Sequence, residues 1–197
     1  MTSWLHDQRL QAVQFAVETS GASRILDLGC GDGDLLIRLA AKATVAEIVG
    51  IDLSEEALGR LRARLDALGK QTAASVRLIH GSLTDSADKL CGFDCAVLVE
   101  TIEHIDPDTL SIVERAVFAT MRPATVIITT PNADFNPMLG VPAHRFRHPD
   151  HRFEWGRERF RRWAAGVARR HGYQAGCSDI GGAHPVVGGA SQMAIFT

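Results

Sequence analysis

No apolar run in these 197 residues approaches the ~18 that a membrane-spanning helix needs, so no spanning segment and no membrane partner are expected. Cysteine is sparse and poorly arranged for a metal. Cys30, Cys91, Cys95 and Cys177 show no zinc spacing, and Cys91 and Cys95 are separated by three residues rather than two. They read as reduced thiols, mostly core filler. The opening residues, Met1-Thr2-Ser3-Trp4-Leu5-His6-Asp7-Gln8, lack the charged leader and apolar centre of a signal peptide, which points to a cytoplasmic location. Lysine is nearly missing. Of 21 basic residues only Lys42, Lys70 and Lys89 are lysine, a bias that suggests a GC-rich genome and says nothing about activity.

What is present is ordinary in bulk and uneven in detail. Apolar residues make up 46% and charged residues 22%, as in soluble globular proteins, and the length suits one domain over 1–197 with a full core. The net charge of −2 hides a basic stretch: residues 144–171 hold nine arginines against three acids, beside His144, His148 and His151. Such a surface suits an anionic partner such as nucleic acid, and equally a solvated helix face.

Periodicity gives alternating elements. Residues 5–19 read as a helix on apolar positions Leu5, Leu10, Val13, Phe15 and Ala16. Arg24-Ile25-Leu26-Asp27-Leu28 reads as a strand running into Gly29-Cys30-Gly31-Asp32-Gly33-Asp34, after which residues 35–43 resume as a helix. Strand, glycine turn and helix in succession form a nucleotide-binding unit, where glycines let a ligand approach the turn. A second strand, residues 46–52, ends on Asp52, an acid able to accept both hydroxyls of an adenosine ribose. Ser54 then caps a helix to about Leu68, which stops at Gly69. Strand three, residues 76–80, leads into the polar turn Gly81-Ser82-Leu83-Thr84-Asp85. Strand four is residues 93–99, a helix from about Pro107 to Met121 follows, and strand five is residues 123–130. Strands alternating with helices predict an α/β, doubly wound, mostly parallel sheet with helices on both faces. Ligands then bind at the strands' carboxyl ends, where the glycine turn, Asp52, Ser82 and Glu100 all fall.

Strand four delivers Glu100-Thr101-Ile102-Glu103-His104. If the backbone turns helical there, Glu100, Glu103 and His104 share one face at i, i+3 and i+4. Two carboxylates and an imidazole crowd one another unless a cation sits between them. Alternatively the acids simply favour the positive end of a helix, with His104 a bystander.

Asp27-Leu28-Gly29-Cys30-Gly31-Asp32-Gly33 is not the G-x-G-x-x-G of dinucleotide binders, which argues against a nicotinamide oxidoreductase; it resembles motif I of the class I S-adenosylmethionine methyltransferases. The resemblance implies S-adenosylmethionine as cofactor. It places the methionine moiety against Asp27, Gly29, Gly31 and Gly33, the ribose on Asp52, and the adenine at Ser82.

Further on come Thr130-Pro131-Asn132-Ala133-Asp134-Phe135-Asn136 and Phe146-Arg147-His148-Pro149-Asp150-His151-Arg152-Phe153-Glu154-Trp155. With Glu-x-x-Glu-His these resemble the Hen-type RNA methyltransferases, which methylate the 2′-hydroxyl of an RNA's 3′-terminal nucleotide. Nearly the whole chain is covered, to a last strand near residues 189–196. Glu103-His104-Ile105 is common among small-molecule methyltransferases, whereas Glu100 together with Asp150-His151-Arg152-Phe153-Glu154-Trp155 is discriminating. The small departures are Asp134, where Glu is as frequent, and Pro149 before Asp150.

The resemblance implies a seven-stranded Rossmann-like sheet and metal ligands Glu100, Glu103, His104 and His151, which are also the catalytic set. It implies S-adenosylmethionine and Mn²⁺ or Mg²⁺ as cofactors and an RNA 3′ end as partner. In bacteria this methyltransferase often forms the C-terminal half of a longer RNA-repair protein, so an RNA-repair partner or N-terminal module is expected too. Carboxylate with imidazole suits such ions, and four protein ligands on an octahedral ion leave two positions that a terminal ribose's adjacent hydroxyls would fill. Arg147, His148 and Arg152 are expected near the substrate, with His148 as a loop histidine beside phosphate rather than a ligand, and with Trp155 and Trp163 offering stacking surfaces or simply core packing. The rivals are a metal-dependent methyltransferase of a small vicinal diol and a non-catalytic module that binds RNA ends.

Overall fold

The computed structural model describes residues 4–69 and 74–197. Met1–Ser3 of the stretch read for a leader, and Lys70, lie outside the described residues. Helix α1 (Trp4–Ser20) precedes β1 (Arg24–Leu28), α2 (Asp34–Ala40), β2 (Glu47–Asp52), α3 (Glu55–Leu68), β3 (Ser75–His80) and β4 (Cys95–Val99). Then come α4 (Leu110–Arg115), β5 (Thr125–Pro131), α5 (Arg157–His171), β6 (Ala175–Ile180) and β7 (Ser191–Phe196). The seven strands form one sheet in the order β3-β2-β1-β4-β5-β7-β6. The first five run parallel, while β7 pairs antiparallel with both β5 and β6. No helix among the described residues is long and apolar enough to cross a membrane.

Strand alternation splits the core in two. Leu26, Leu28, Val49, Ala96, Leu98 and Val126 pack with α4 and α5 on one face, and Ile25, Ile48, Cys95, Val97 and Ile127 pack with α1, α2 and α3 on the other. The central strands are buried on both sides and therefore read as continuous apolar runs.

Two expectations need correction. The pentapeptide after β4 is not one helical face: Glu100 takes a left-handed φ of 50°, and only Ile102–His104 form a 3₁₀ turn. The neighbouring strand holds this turn, because the Glu100 amide donates to both the carbonyl and the Oγ1 of Thr129 on β5 (3.1 Å each). The helix expected from Pro107 starts at Leu110, since Thr109 closes a turn onto the Asp106 carbonyl with its amide (2.9 Å). It then continues to Met121 as a π-type turn that ends at Arg122 in a left-handed conformation (φ 47°). The sixth strand, which periodicity does not give, has no apolar run to announce it, being an edge strand with most side chains exposed.

Helices α4 and α5 are joined by charge. Glu114 accepts from Arg170 Nε and Nη2 (2.8 Å each) and from His171 Nε2 (2.9 Å). Burial alone would raise its pKa, but the bonds from Arg170 and His171 outweigh this and hold the carboxyl below its ordinary 4.5. A depressed carboxylate stabilises above its unfolded pKa, and that contribution is lost as pH falls through the folded value. Glu114→Ala is therefore expected to lose about 1–3 kcal/mol at pH 7, on the scale of charged hydrogen bonds. Urea unfolding at pH 7 and below pH 4 checks this, with the deficit shrinking at the acid end; an equal deficit at both pH values contradicts the assignment.

Candidate functional site

A cavity of about 620 Å³ opens at the carboxyl ends of the parallel strands. Gly29, Asp52 and Ser82 line one part of it, and Glu100, Thr101 and His104 another. Its size lies within the usual range for small-molecule sites. Asp27, Gly31 and Gly33 are not among the lining residues.

The three glycines of the turn all have positive φ, for different reasons. A Cβ on Gly29 would meet the Thr101 side chain at 2.6 Å, and one on Gly33 would meet Leu61, while one on Gly31 would meet open space. Close packing thus requires two of the glycines, and only Gly31 fits the expectation of leaving room beside the turn. Asp52 shapes the turn by accepting the Gly31 amide on Oδ2 and the Ser54 amide on Oδ1, 2.8 Å each. Ser82 Oγ pairs with Thr84 Oγ1 (2.6 Å) at the next strand end.

Asp27 is buried on β1, and its Oδ2 has no partner among the described residues. Burial, with the charge of Asp52 beside it, pushes the carboxyl up to about 7. An unpartnered buried carboxylate beside a glycine turn suits a cationic ligand, and S-adenosylmethionine carries positive charge on its sulfonium and ammonium groups.

At the end of β4 two more acids each leave one oxygen unmatched among the described residues. Glu103 is fully buried; Oε2 accepts from Thr130 Oγ1 (3.1 Å) and Oε1 accepts from nothing described. Glu100 Oε1 is likewise unmatched, while Oε2 faces Arg9 Nη2 at 3.0 Å. Burial raises the pKa of both, and the charge of Glu100 drives Glu103 further, well above the carboxylate range. Buried carboxylates with free oxygens are costly unless a cation matches them, so the donor chemistry fits a divalent ion. The left-handed backbone at Glu100, worth on the order of 1–3 kcal/mol of strain, marks the same spot.

The imidazoles come from two segments. His104 ends the 3₁₀ turn, and His151 is carried by the loop before α5. Their rings lie 4.8 Å apart, centroid to centroid, and edge to face. His148 stands beside both, at 5.9 Å and 5.6 Å. One nitrogen from each of these three lies within 4.8 Å of the others, and among the described residues the Glu100 and Glu103 carboxylates do not join that cluster. The expected set of two acids and two histidines is therefore assembled as a buried carboxylate pair beside a more open imidazole group that includes His148. Burial lowers the pKa of His104, and the neighbouring His151 and His148 add to the effect.

The F-E-W segment orients His151. Phe153 and Trp155 alternate into the core and stack at 4.3 Å, so Glu154 points the other way. Its Oε1 sits 2.6 Å from His151 Nδ1, leaving Nε2 for a ligand. Burial would raise the Glu154 pKa, but bonds from His151, Asn136 and the Arg147 amide bring it below the ordinary range.

Two substrate expectations change. Arg147 donates to Asn136 Oδ1 (2.6 Å), the Ala190 carbonyl (2.7 Å) and the Asn132 carbonyl (2.5 Å), so it secures the loop rather than standing free for phosphate. Trp155 is buried and Trp163 packs against the core, which favours the packing reading over base stacking. Of the basic helix, Arg157 faces Asp179, Arg162 faces Glu158 and Arg170 faces Glu114. Arg152 is exposed, with its amide tied to the Glu103 carbonyl (2.7 Å), so it remains beside the site. Arg9, which also donates to Ser191 Oγ, was not anticipated: nothing in α1 signals that it reaches the end of β4.

Comparison with known proteins agrees with the fold. The methyltransferase-domain family matches residues 26–127. A small RNA 2′-O-methyltransferase of Xenopus tropicalis is 37% identical over 98% of this chain and 54% of that protein. The chain thus spans about half the length of such animal relatives. The crystal structure of the methyltransferase domain of bacterial CtHen1 superposes with a TM-score of 0.87 at 36% identity, covering 98% of each chain. That of the small RNA methyltransferase HEN1 gives 0.89 at 32%, over 98% of this chain and 25% of that one.

The raised Asp27 pKa has a measurable consequence. Between its unfolded value of 3.8 and about 7 the unfolded chain binds fewer protons at Asp27 than the folded one, so this group's contribution to stability is lost as pH rises. In the ligand-free protein, Asp27→Asn should flatten the stability profile over that window, by up to roughly 4 kcal/mol across it. Urea unfolding of both forms from pH 4 to 8 measures it, and parallel profiles refute it.

Proposed function

The chain belongs to the methyltransferase-domain family of the small RNA 2′-O-methyltransferases, and we propose that it transfers a methyl group from S-adenosylmethionine to the 2′-hydroxyl of the 3′-terminal ribose of an RNA, with a divalent cation as cofactor. One observation carries the reading: a single cavity joins Gly29, Asp52 and Ser82 to Glu100 and His104, beside buried carboxylate oxygens that nothing among the described residues matches.

S-adenosylmethionine supplies an electrophilic methyl on a sulfonium. Asp52 would accept the ribose hydroxyls on lone pairs not used by the Gly31 and Ser54 amides, Ser82 would meet the adenine, and Asp27 with the glycine turn would hold the methionine end. A Mn²⁺ or Mg²⁺ ion held by Glu100, Glu103, His104 and His151 would supply Lewis acidity to the two hydroxyls of a terminal ribose. Thr130 and Arg9 fix the two carboxylates, and Glu154 fixes His151 through Nδ1. An imidazole of the open cluster would take the proton that the 2′-oxygen gives up as it attacks the methyl. The main contribution of the protein is position: holding donor and acceptor in one cavity is worth on the order of 7–11 kcal/mol at best. Arg152, exposed beside the imidazoles, would meet the RNA backbone.

A vicinal-diol small molecule would use the same site, and the exposed Arg152 favours RNA over it. The test is methyl transfer from labelled cofactor to a short RNA, with and without Mn²⁺. Expected is transfer to the free 2′,3′-diol that depends on the ion, falls at least about 100-fold in Glu100→Gln and His151→Ala, and fails on 3′-deoxy or 3′-phosphorylated RNA. Equal transfer to a 3′-deoxy end overturns the terminal-diol requirement, and transfer to catechol but not RNA selects the other substrate.

A further inference from the structure

We propose that residues 137–146, the exposed loop that precedes the imidazoles, are the docking surface for the single-stranded RNA just 5′ of the methylated nucleotide, with the Phe146 ring as the stacking face for a base. The inference rests on the reading above, in which an RNA 3′ end reaches His104 and His151.

Composition and exposure single out this loop. Eight large apolar side chains are exposed among the described residues, and three of them, Met138, Leu139 and Phe146, fall here. Phe146 is 47% exposed. No acid occurs between Asp134 and Asp150, whereas Arg145, Arg147, His144 and His148 do. The Arg145 guanidinium is exposed and has no acid or carbonyl against it among the described residues. A single strand presents open base faces and a phosphate at every step, and aromatic faces set beside positive charge are what bind it.

The loop is also held in shape. Arg147 Nε donates to Asn136 Oδ1 (2.6 Å) and so ties its two ends together. Inside it, the Val141 amide donates to the Asn136 carbonyl and the Gly140 amide to the Pro137 carbonyl (3.1 Å each). The Arg145 amide donates to the Pro142 carbonyl (3.0 Å), and the two prolines restrict the backbone further. A compact loop closed in this way keeps its apolar side chains outward. Its pre-organisation lowers the ordering cost of binding.

Position decides the occupant. Exposed apolar side chains with arginine suit a protein partner too. Phe146, however, stands two residues before His148, whose ring lies 5.9 Å from that of His104 on the cavity wall. Arg152, next to His151, is exposed as well and extends the positive charge. A strand whose terminal ribose reaches the imidazoles therefore passes this loop with its preceding nucleotide. Stacking is tolerant of base identity, so different sequences should bind alike.

Fluorescence anisotropy of the intact chain with 5′-labelled oligoadenylate and oligouridylate, each ending in a free 2′,3′-diol, tests this without turnover. The variants are Phe146→Ala, Phe146→Tyr and Arg145→Gln, each also measured for S-adenosylmethionine binding by calorimetry and for thermal unfolding. Phe146→Ala should weaken both RNAs at least about fivefold without changing the salt dependence, while Phe146→Tyr stays within about twofold. Arg145→Gln should lower the slope of log K against log salt by about 0.7. Cofactor affinity and melting should not move. Equal RNA affinity in Phe146→Ala and the unaltered chain overturns the proposal and leaves the function above standing. If, in addition, the unaltered chain self-associates and Phe146→Ala does not, the loop is a protein surface instead. A parallel loss of RNA and cofactor binding gives Phe146 a structural role and overturns the proposal too. No binding of either RNA by the unaltered chain, with methyl transfer to catechol, removes the function above and this inference with it.

Discussion

Two buried carboxylates at the end of β4 set the terms for everything near them. Glu103 is wholly enclosed and Glu100 nearly so, each with an oxygen that no described group matches. A protein interior tolerates such a pair only if protons or cations neutralise it. In this structure Arg9 supplies one positive charge, reaching across from α1 to Glu100 Oε2 and anchoring itself on Ser191. The raised pKa values of both acids are the signature of what Arg9 leaves unbalanced.

The loop between β5 and α5 is built to bring imidazoles to that charge. Asn132, fully buried, pins the loop by donating to the Val187 and Gly189 carbonyls and accepting the Asp134 amide. Asn136 bridges Arg147 and Glu154, and Glu154 in turn fixes His151. Arg147 closes the arrangement on two backbone carbonyls. These polar residues act through one another, so their individual contributions are not additive. A long irregular segment held this way can place a side chain as firmly as a strand can.

The sheet was legible because its central strands are apolar and its glycine turn and Asp52 recur at spacings that a strand–turn–helix unit requires. Helix α3 was legible at both ends, from Ser54 accepting the Ala57 amide to Gly69. The edge strand Ala175–Ile180 was not, since mostly exposed positions carry no alternation to read. The direction of Glu100 was not legible either, because it depends on a hydroxyl of β5, and neither was Arg9, whose role exists only once α1 lies against β4. Arginine-rich composition over residues 144–171 suggested one basic surface, yet several of those side chains are absorbed by internal acids and carbonyls. Sequence shows how many charges there are, and only packing shows which remain to be used.

That distinction bears on how the site discriminates. Among the described residues Glu100 has one oxygen held by Arg9 and one unmatched, and Glu103 has one held by Thr130 and one unmatched, so each acid offers a single fixed donor atom rather than a flexible bidentate grip. His151 offers Nε2 alone for the same reason. A set of single, pre-aimed donors loses little entropy when it takes a ligand, and it rejects one whose geometry does not match. His104 and His148 are the exposed members of the imidazole cluster, so it opens to solvent on their side. Glu100 and Thr101 line the same cavity as Gly29, Asp52 and Ser82, so the fixed donor on Glu100 borders the space that the glycine turn also borders.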